Sequence, residues 1–121
     1  MRRLTIGILA LLALAGADTC EGTAQGTVPT GSEMLPACRA FLEGHALSEH
    51  ATQEEAVRAG FCAGYVLGIV TEETEACVPP MPARELVRTI VEHLEAHSDE
   101  LDKAFDNLVE SALMATWPCK P

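Results

Sequence analysis

The placement of four cysteines, Cys38, Cys62, Cys77 and Cys119, constrains this chain more than any other feature. They are spread across helix-like segments of a short chain, and no C-x-x-C pair occurs to suggest a zinc ribbon, a dithiol redox centre or a haem attachment site. Cysteines so spaced in a small exported protein staple helices together. Export is itself expected. The stretch "MRRLTIGILALLALAGA" has two arginines, an apolar run from Leu4 to Ala15, and small residues at Ala15 and Ala17, the pattern of a signal peptide over residues 1–17. Its apolar run is shorter than the roughly 20 residues a membrane span needs. The mature chain is therefore expected to be exported, without an integral membrane segment. Cys20 lies in "DTCEGTAQGTVPTG", a polar leader over residues 18–31 whose composition predicts disorder.

Residues 32–121 form the expected folded domain, and turn signals divide it into four helices. Ser32 is placed to cap the first, which should run to about Leu47 with Met34, Leu35, Cys38, Phe41 and Leu42 on one stripe. Thr52 and Glu55 make a capping box for a second helix ending near Thr74. A third follows "CVPPMP", with Leu86, Val87, Ile90, Val91 and Leu94 as its apolar stripe. Ser98 is read as the cap of a fourth, in which Leu101, Ala104, Phe105, Leu108, Val109, Ala112 and Leu113 keep helical spacing until "WPC". No segment alternates like a strand. The expected fold is all-α, a disulfide-stapled four-helix bundle of two helical hairpins.

Hairpin geometry favours two cysteine pairs. Cys38 and Cys62 lie at similar distances on either side of a turn near residue 51, and Cys77 and Cys119 at equal distances on either side of Ser98. Joining Cys62 to Cys77 would require the chain to double back along most of a helix. Gly60, Gly64 and Gly68 fall on one stripe of the second helix, where each costs about 1 kcal/mol against alanine. That spacing predicts a groove for close helix packing, filled by one of the chain's own helices, the favoured case, or by a second copy.

Charge narrows the partners. The chain has 8 basic and 18 acidic residues; loss of Arg2 and Arg3 with the signal leaves 6 against 18, a net charge of −12. Such a surface repels nucleic acid and anionic lipid and favours basic proteins. No enzyme is expected. His93 and His97 share a helix face, but "HLEAH" misplaces the glutamate of a zinc protease. The run "HSDE" lies on one turn and cannot form a triad, and Cys20 has no positioned base. No cofactor or metal is implied. Two exposed acidic elements remain as candidate contacts: Glu72, Glu73 and Glu75 before Cys77, and the turn His97, Ser98, Asp99 and Glu100.

In order and spacing, "CAGYVLGIV", "CVPP", "LVRTIVEHLEAH" and "SALMATWPC" resemble the Tai/Rap immunity-protein family from about Ser32 to Cys119. The resemblance implies an exported, helical, often homodimeric protein in the periplasm of a Gram-negative bacterium. It further implies that this protein occludes a peptidoglycan amidase effector delivered by type VI secretion and performs no catalysis itself. Either acidic element would then be the part inserted near the amidase site. One departure stands at "HSDE", where Ser98 replaces the proline expected of the family. Two other classes fit the composition: an acid-stress chaperone of the HdeA type, whose carboxylates would be neutralised at low pH, and a small secreted helical domain with neither activity.

Overall fold

The computed structural model describes residues 26–44, 48–72 and 75–120. The expected signal segment, Cys20, Leu47, Glu73 and Thr74 lie outside the described residues. Four helices follow in order: α1 (Gly31–Glu43), α2 (Gln53–Glu72), α3 (Ala83–Ala96) and α4 (Phe105–Thr116), with a 3-10 turn at Ser98–Glu100 between the last two. Among the described residues there is no strand, only isolated bridges between Thr30 and Ala104 and between Ala76 and Pro118.

Local chemistry sets several of these boundaries. Glu55 donates its amide to Thr52 Oγ1 at 3.2 Å, and Thr52 donates its amide to Glu55 Oε2 at 2.8 Å, the capping box expected for α2. A second such box opens α1, but on Thr30 rather than Ser32. The Glu33 amide reaches Thr30 Oγ1 at 3.3 Å, and the Thr30 amide reaches Glu33 Oε2 at 2.7 Å. Those bonds from Thr30 hold the Glu33 carboxyl below its ordinary pKa. The helix ends at Gly44, short of the expected Leu47, because Gly44 adopts the left-handed conformation at φ +71° and its amide turns back to Phe41.

The start of α4 also departs from expectation. Ser98 does not cap it; Leu101 and Ala104 lie outside the helix, which begins at Phe105. The cause is a set of tertiary backbone bonds. Gly31 donates to Lys103 O at 3.0 Å, Ser32 to Leu101 O at 2.9 Å, and Phe105 to Pro29 O at 2.8 Å. The chain entering α1 thus takes backbone groups that a continuous helix from Ser98 would have used internally. Pro29 to Gly31, placed at the end of the expected leader, are consequently part of the fold.

The core is wholly apolar among the described residues. Phe105, Ile90, Leu94, Leu113, Val66, Val87 and Val109 are its largest fully buried side chains, with Cys38 and Cys62 between them. Every member of the expected α3 stripe is buried, and so are Phe105, Leu108, Val109, Ala112 and Leu113 of α4. Helix α1 packs on α2 and α3, α3 on α4, and α2 on both members of the second hairpin. Both cysteine pairs are joined as the hairpin geometry favoured: Cys38 to Cys62, with Cα atoms 5.2 Å apart, and Cys77 to Cys119, at 4.9 Å. Outside the core, Arg39 bridges to Glu95 at 2.9 Å and the Arg84 guanidinium donates to the Leu42 carbonyl, tying α1 to α3.

Candidate functional site: an acidic turn and an acid-lined cleft

The first candidate element is the turn between α3 and α4. The His97 amide closes α3 on the carbonyls of His93 and Leu94, at 3.1 and 3.2 Å. His97 Nδ1 lies 2.8 Å from His93 O, and the two imidazoles stack with ring centroids 4.1 Å apart. Glu100 then donates its amide to His97 O and Lys103 donates to Glu100 O, so successive backbone bonds fix the turn. Ser98 and Asp99 stand exposed on it. Lys103 Nζ hydrogen-bonds Glu100 Oε1, and that bond with its charge holds the Glu100 carboxyl below its usual range. The turn therefore presents fixed negative charge on a backbone that loses little freedom when a partner binds.

Burial lowers the pKa of His93, the neighbouring His97 lowers it further, and Glu100 opposes both. Protonation is thus less favourable in the folded chain than in the unfolded one. The stability this confers is present in full above pH about 6.5 and is lost as pH falls through the lower folded-state value. In thermal melts between pH 8 and pH 5, His93→Gln is expected to flatten the decline toward the acid side, and an unchanged slope would refute the assignment. Among the described residues, no three histidine, cysteine or carboxylate side chains come together to hold a metal ion.

The second element is a cleft of about 740 Å³ between α2 and α4. Gly64, Gly68, Tyr65 and Ile69 make its apolar surface, while Glu72, Glu75, Asp106 and Glu110 surround it with carboxylates. Tyr65 is anchored from below by Phe105, ring to ring at 5.5 Å, and flanked by Phe61 at 5.7 Å. Burial raises the Tyr65 pKa, and the nearby Asp106 charge raises it further. The cleft takes Glu72 and Glu75 but none of His97, Ser98, Asp99 or Glu100, so the two candidate elements are separate surfaces. Glu73 lies outside the described residues.

The glycine stripe requires a correction. A Cβ added at Gly60, Gly64 or Gly68 would meet nothing within 4 Å, so no described part of this chain fills the expected groove. The small residues that do receive a helix lie on the opposite face: Ala59, Cys62, Ala63 and Val66 are buried, and the disulfide from Cys62 fixes that face against α1. Tyr65, Asp106 and Glu110 were not anticipated. The only sequence signal for the last two is their i, i+4 spacing beside the α4 stripe, which does not say that α2 is the neighbour.

A small helical bundle closed by two disulfides, presenting a rigid acidic turn and an acid-lined cleft, has the character of a binding domain that acts through its surface. Residues 30–119 match the family described as Rap1a immunity proteins, and the chain belongs to that family. Membership implies a role in immunity to a type VI effector, with an effector protein as partner. No curated protein matches the chain. Its two disulfides are consistent with an exported or periplasmic protein. Among the described residues, no helix is long and apolar enough to cross a membrane.

Proposed function

We propose that the chain is a periplasmic immunity protein that binds and occludes a peptidoglycan amidase delivered by type VI secretion, using the turn His97–Glu100 as its principal contact. The observation that carries this reading is the turn itself in a chain of the immunity family. Asp99 stands exposed and Glu100, paired with Lys103, half-exposed on a hydrogen-bonded 3-10 turn between α3 and α4. A hydrogen-bonded acidic turn suits contact with a basic cleft, where charge attraction speeds encounter and preorganisation limits the entropy lost on binding. The inhibitor then works by covering the amidase site and supplies no reacting group.

The test is a titration of the chain against the type VI peptidoglycan amidases of the producing cell, read by release of peptidoglycan fragments. Stoichiometric inhibition of one amidase is expected. The double change Asp99→Lys and Glu100→Lys is expected to weaken binding by about 100-fold, the scale of like charges opposed across an interface, with helicity unchanged. Full inhibition by that variant would remove the turn from the contact. Failure to inhibit any of the amidases would remove the amidase reading.

A further inference from the structure

A helix leaves the amides of its first turn without partners inside the helix, and they must find acceptors elsewhere. In α1 the third of them, from Glu33, is satisfied by Thr30 Oγ1. The first two, from Gly31 and Ser32, reach across the molecule to the carbonyls of Lys103 and Leu101, at 3.0 and 2.9 Å. Those carbonyls belong to the segment directly after the acidic turn, ahead of the start of α4. The turn is thus held at two ends by two different helices. Upstream, α3 holds it through the His97 amide on the carbonyls of His93 and Leu94; downstream, α1 holds it through Leu101 and Lys103.

Gly31 lets the two segments come this close. A Cβ there would lie 2.5 Å from Leu108 Cδ1 and 3.2 Å from both Leu101 Cδ2 and Leu101 O. At every other described glycine an added Cβ meets nothing nearer than 3.8 Å. Leu108 is buried in the core and Leu101 O is backbone, so neither yields by swinging into water. We infer that Gly31 is a positioning residue for the acidic turn: the approach it permits lets α1 hold the turn's downstream backbone, and so places Lys103 where its ammonium bonds Glu100.

Lys103 is the link between them. Its carbonyl accepts from Gly31, its amide donates to Glu100 O, and its ammonium hydrogen-bonds Glu100 Oε1. With the backbone fixed on both sides of its Cα, the side chain sets out in one direction and reaches Glu100 at little entropic cost. Without the bonds from α1, the segment keeps only the bonds within its own turn, and the 3-10 turn buries no side chain of its own. A segment held by exposed backbone bonds alone opens readily. The positioning is independent of what the turn binds, whereas its consequence for effector capture rests on the turn being the contact.

Two variants of the purified chain, disulfides intact, test the assignment. Gly31→Ala inserts the excluded Cβ. Ser32→Pro withdraws the donor to Leu101 O at a first-turn position where proline is tolerated, and Gly31 before it has no Cβ for the ring to meet. In each, hydrogen exchange at the Glu100 and Lys103 amides is expected to quicken at least about tenfold, as the turn opens more often. The Glu100 carboxyl, followed by NMR, is expected to titrate nearer its ordinary value, because Lys103 no longer holds it low. Against the amidase that the parent chain inhibits, Gly31→Ala is expected to raise the dissociation constant about tenfold, the scale of one or two side chains left to be ordered on binding. Unchanged exchange and titration in either variant, at parental helicity by circular dichroism, would overturn the inference whatever the turn binds. Faster exchange in both with inhibition undiminished would uphold the positioning and remove the turn as the effector contact.

Discussion

Replacing Cys38 and Cys62 together by alanine is expected to destabilise the fold by about 3 kcal/mol through lost loop closure alone, with a further loss from the core. The sequence separation of this pair is 24, whereas that of Cys77 and Cys119 is 42. Chain entropy would therefore rank the second bridge higher, at about 4 kcal/mol. Burial reverses the order. Cys38 and Cys62 are both 0% exposed and lie among Val66, Val87 and Leu94, so two alanines leave a void where the disulfide was. Cys77 is exposed, and its loss opens no comparable cavity. For a domain of about 90 residues, 3 kcal/mol lowers Tm by about 12–24 °C. Thermal melts of the two double-alanine variants, side by side, check the ranking. A smaller drop for the Cys38/Cys62 pair would mean that α1 and α2 collapse to fill the space.

Phe105→Ala is expected to be the most damaging single substitution, at about 3–5 kcal/mol. The ring is fully buried, it begins α4, and its backbone amide is the donor to Pro29 that fastens the chain's entry into α1. It also supports Tyr65 at 5.5 Å, so its loss reaches the cleft as well as the core. Two readouts separate these effects. Urea unfolding followed by Trp117, the single tryptophan, should give a lower midpoint with an unchanged slope. The Tyr65 pKa should fall back toward its ordinary value as water reaches a ring no longer packed from below. A midpoint close to that of the parent chain would show that Leu108 and Leu113 repack into the vacancy.

What was legible in the sequence was chemistry complete within a few residues. Thr52 and Glu55 satisfy each other across one helical turn, so the start of α2 could be read directly. Leu86 to Leu94 keep one unambiguous stripe in α3. The disulfide pairing was accessible because two hairpins leave few geometries open. The beginning of α1 carried an equally local mark, the capping box of Thr30 and Glu33, although the expected cap was Ser32; the beginning of α4 carried none. Pro29, Gly31 and Ser32 exchange backbone bonds with residues 101–105, and such bonds, across most of the domain, leave no local mark. Ser32 and Ser98 both have cap-forming side chains; Ser32 lost the start of α1 to its neighbour Thr30, and Ser98 lost the start of α4 to these distant partners. The glycine stripe announced close approach but not its direction, because Ala59, Cys62 and Ala63 made an equally small opposite face. Asp106 and Glu110 acquired significance only once α4 lay beside the glycine side of α2.

The backbone pairing at the two chain ends has a practical consequence. The pairing of residues 29–32 with 101–105 is antiparallel and Pro29 O accepts from Phe105, so anything joined ahead of residue 29 leaves the fold at the start of α4, beside Phe105. Cys119 is bonded to Cys77, and Trp117 O accepts the Cys77 amide, so anything joined after Cys119 leaves beside Glu75. A bulky domain fused at the back therefore crowds the Glu75 side of the cleft and leaves the turn of Asp99 and Glu100 clear. That fusion acts as a steric reporter: loss of effector capture places the grip at the cleft and retained capture leaves it to the turn, without altering a residue of either.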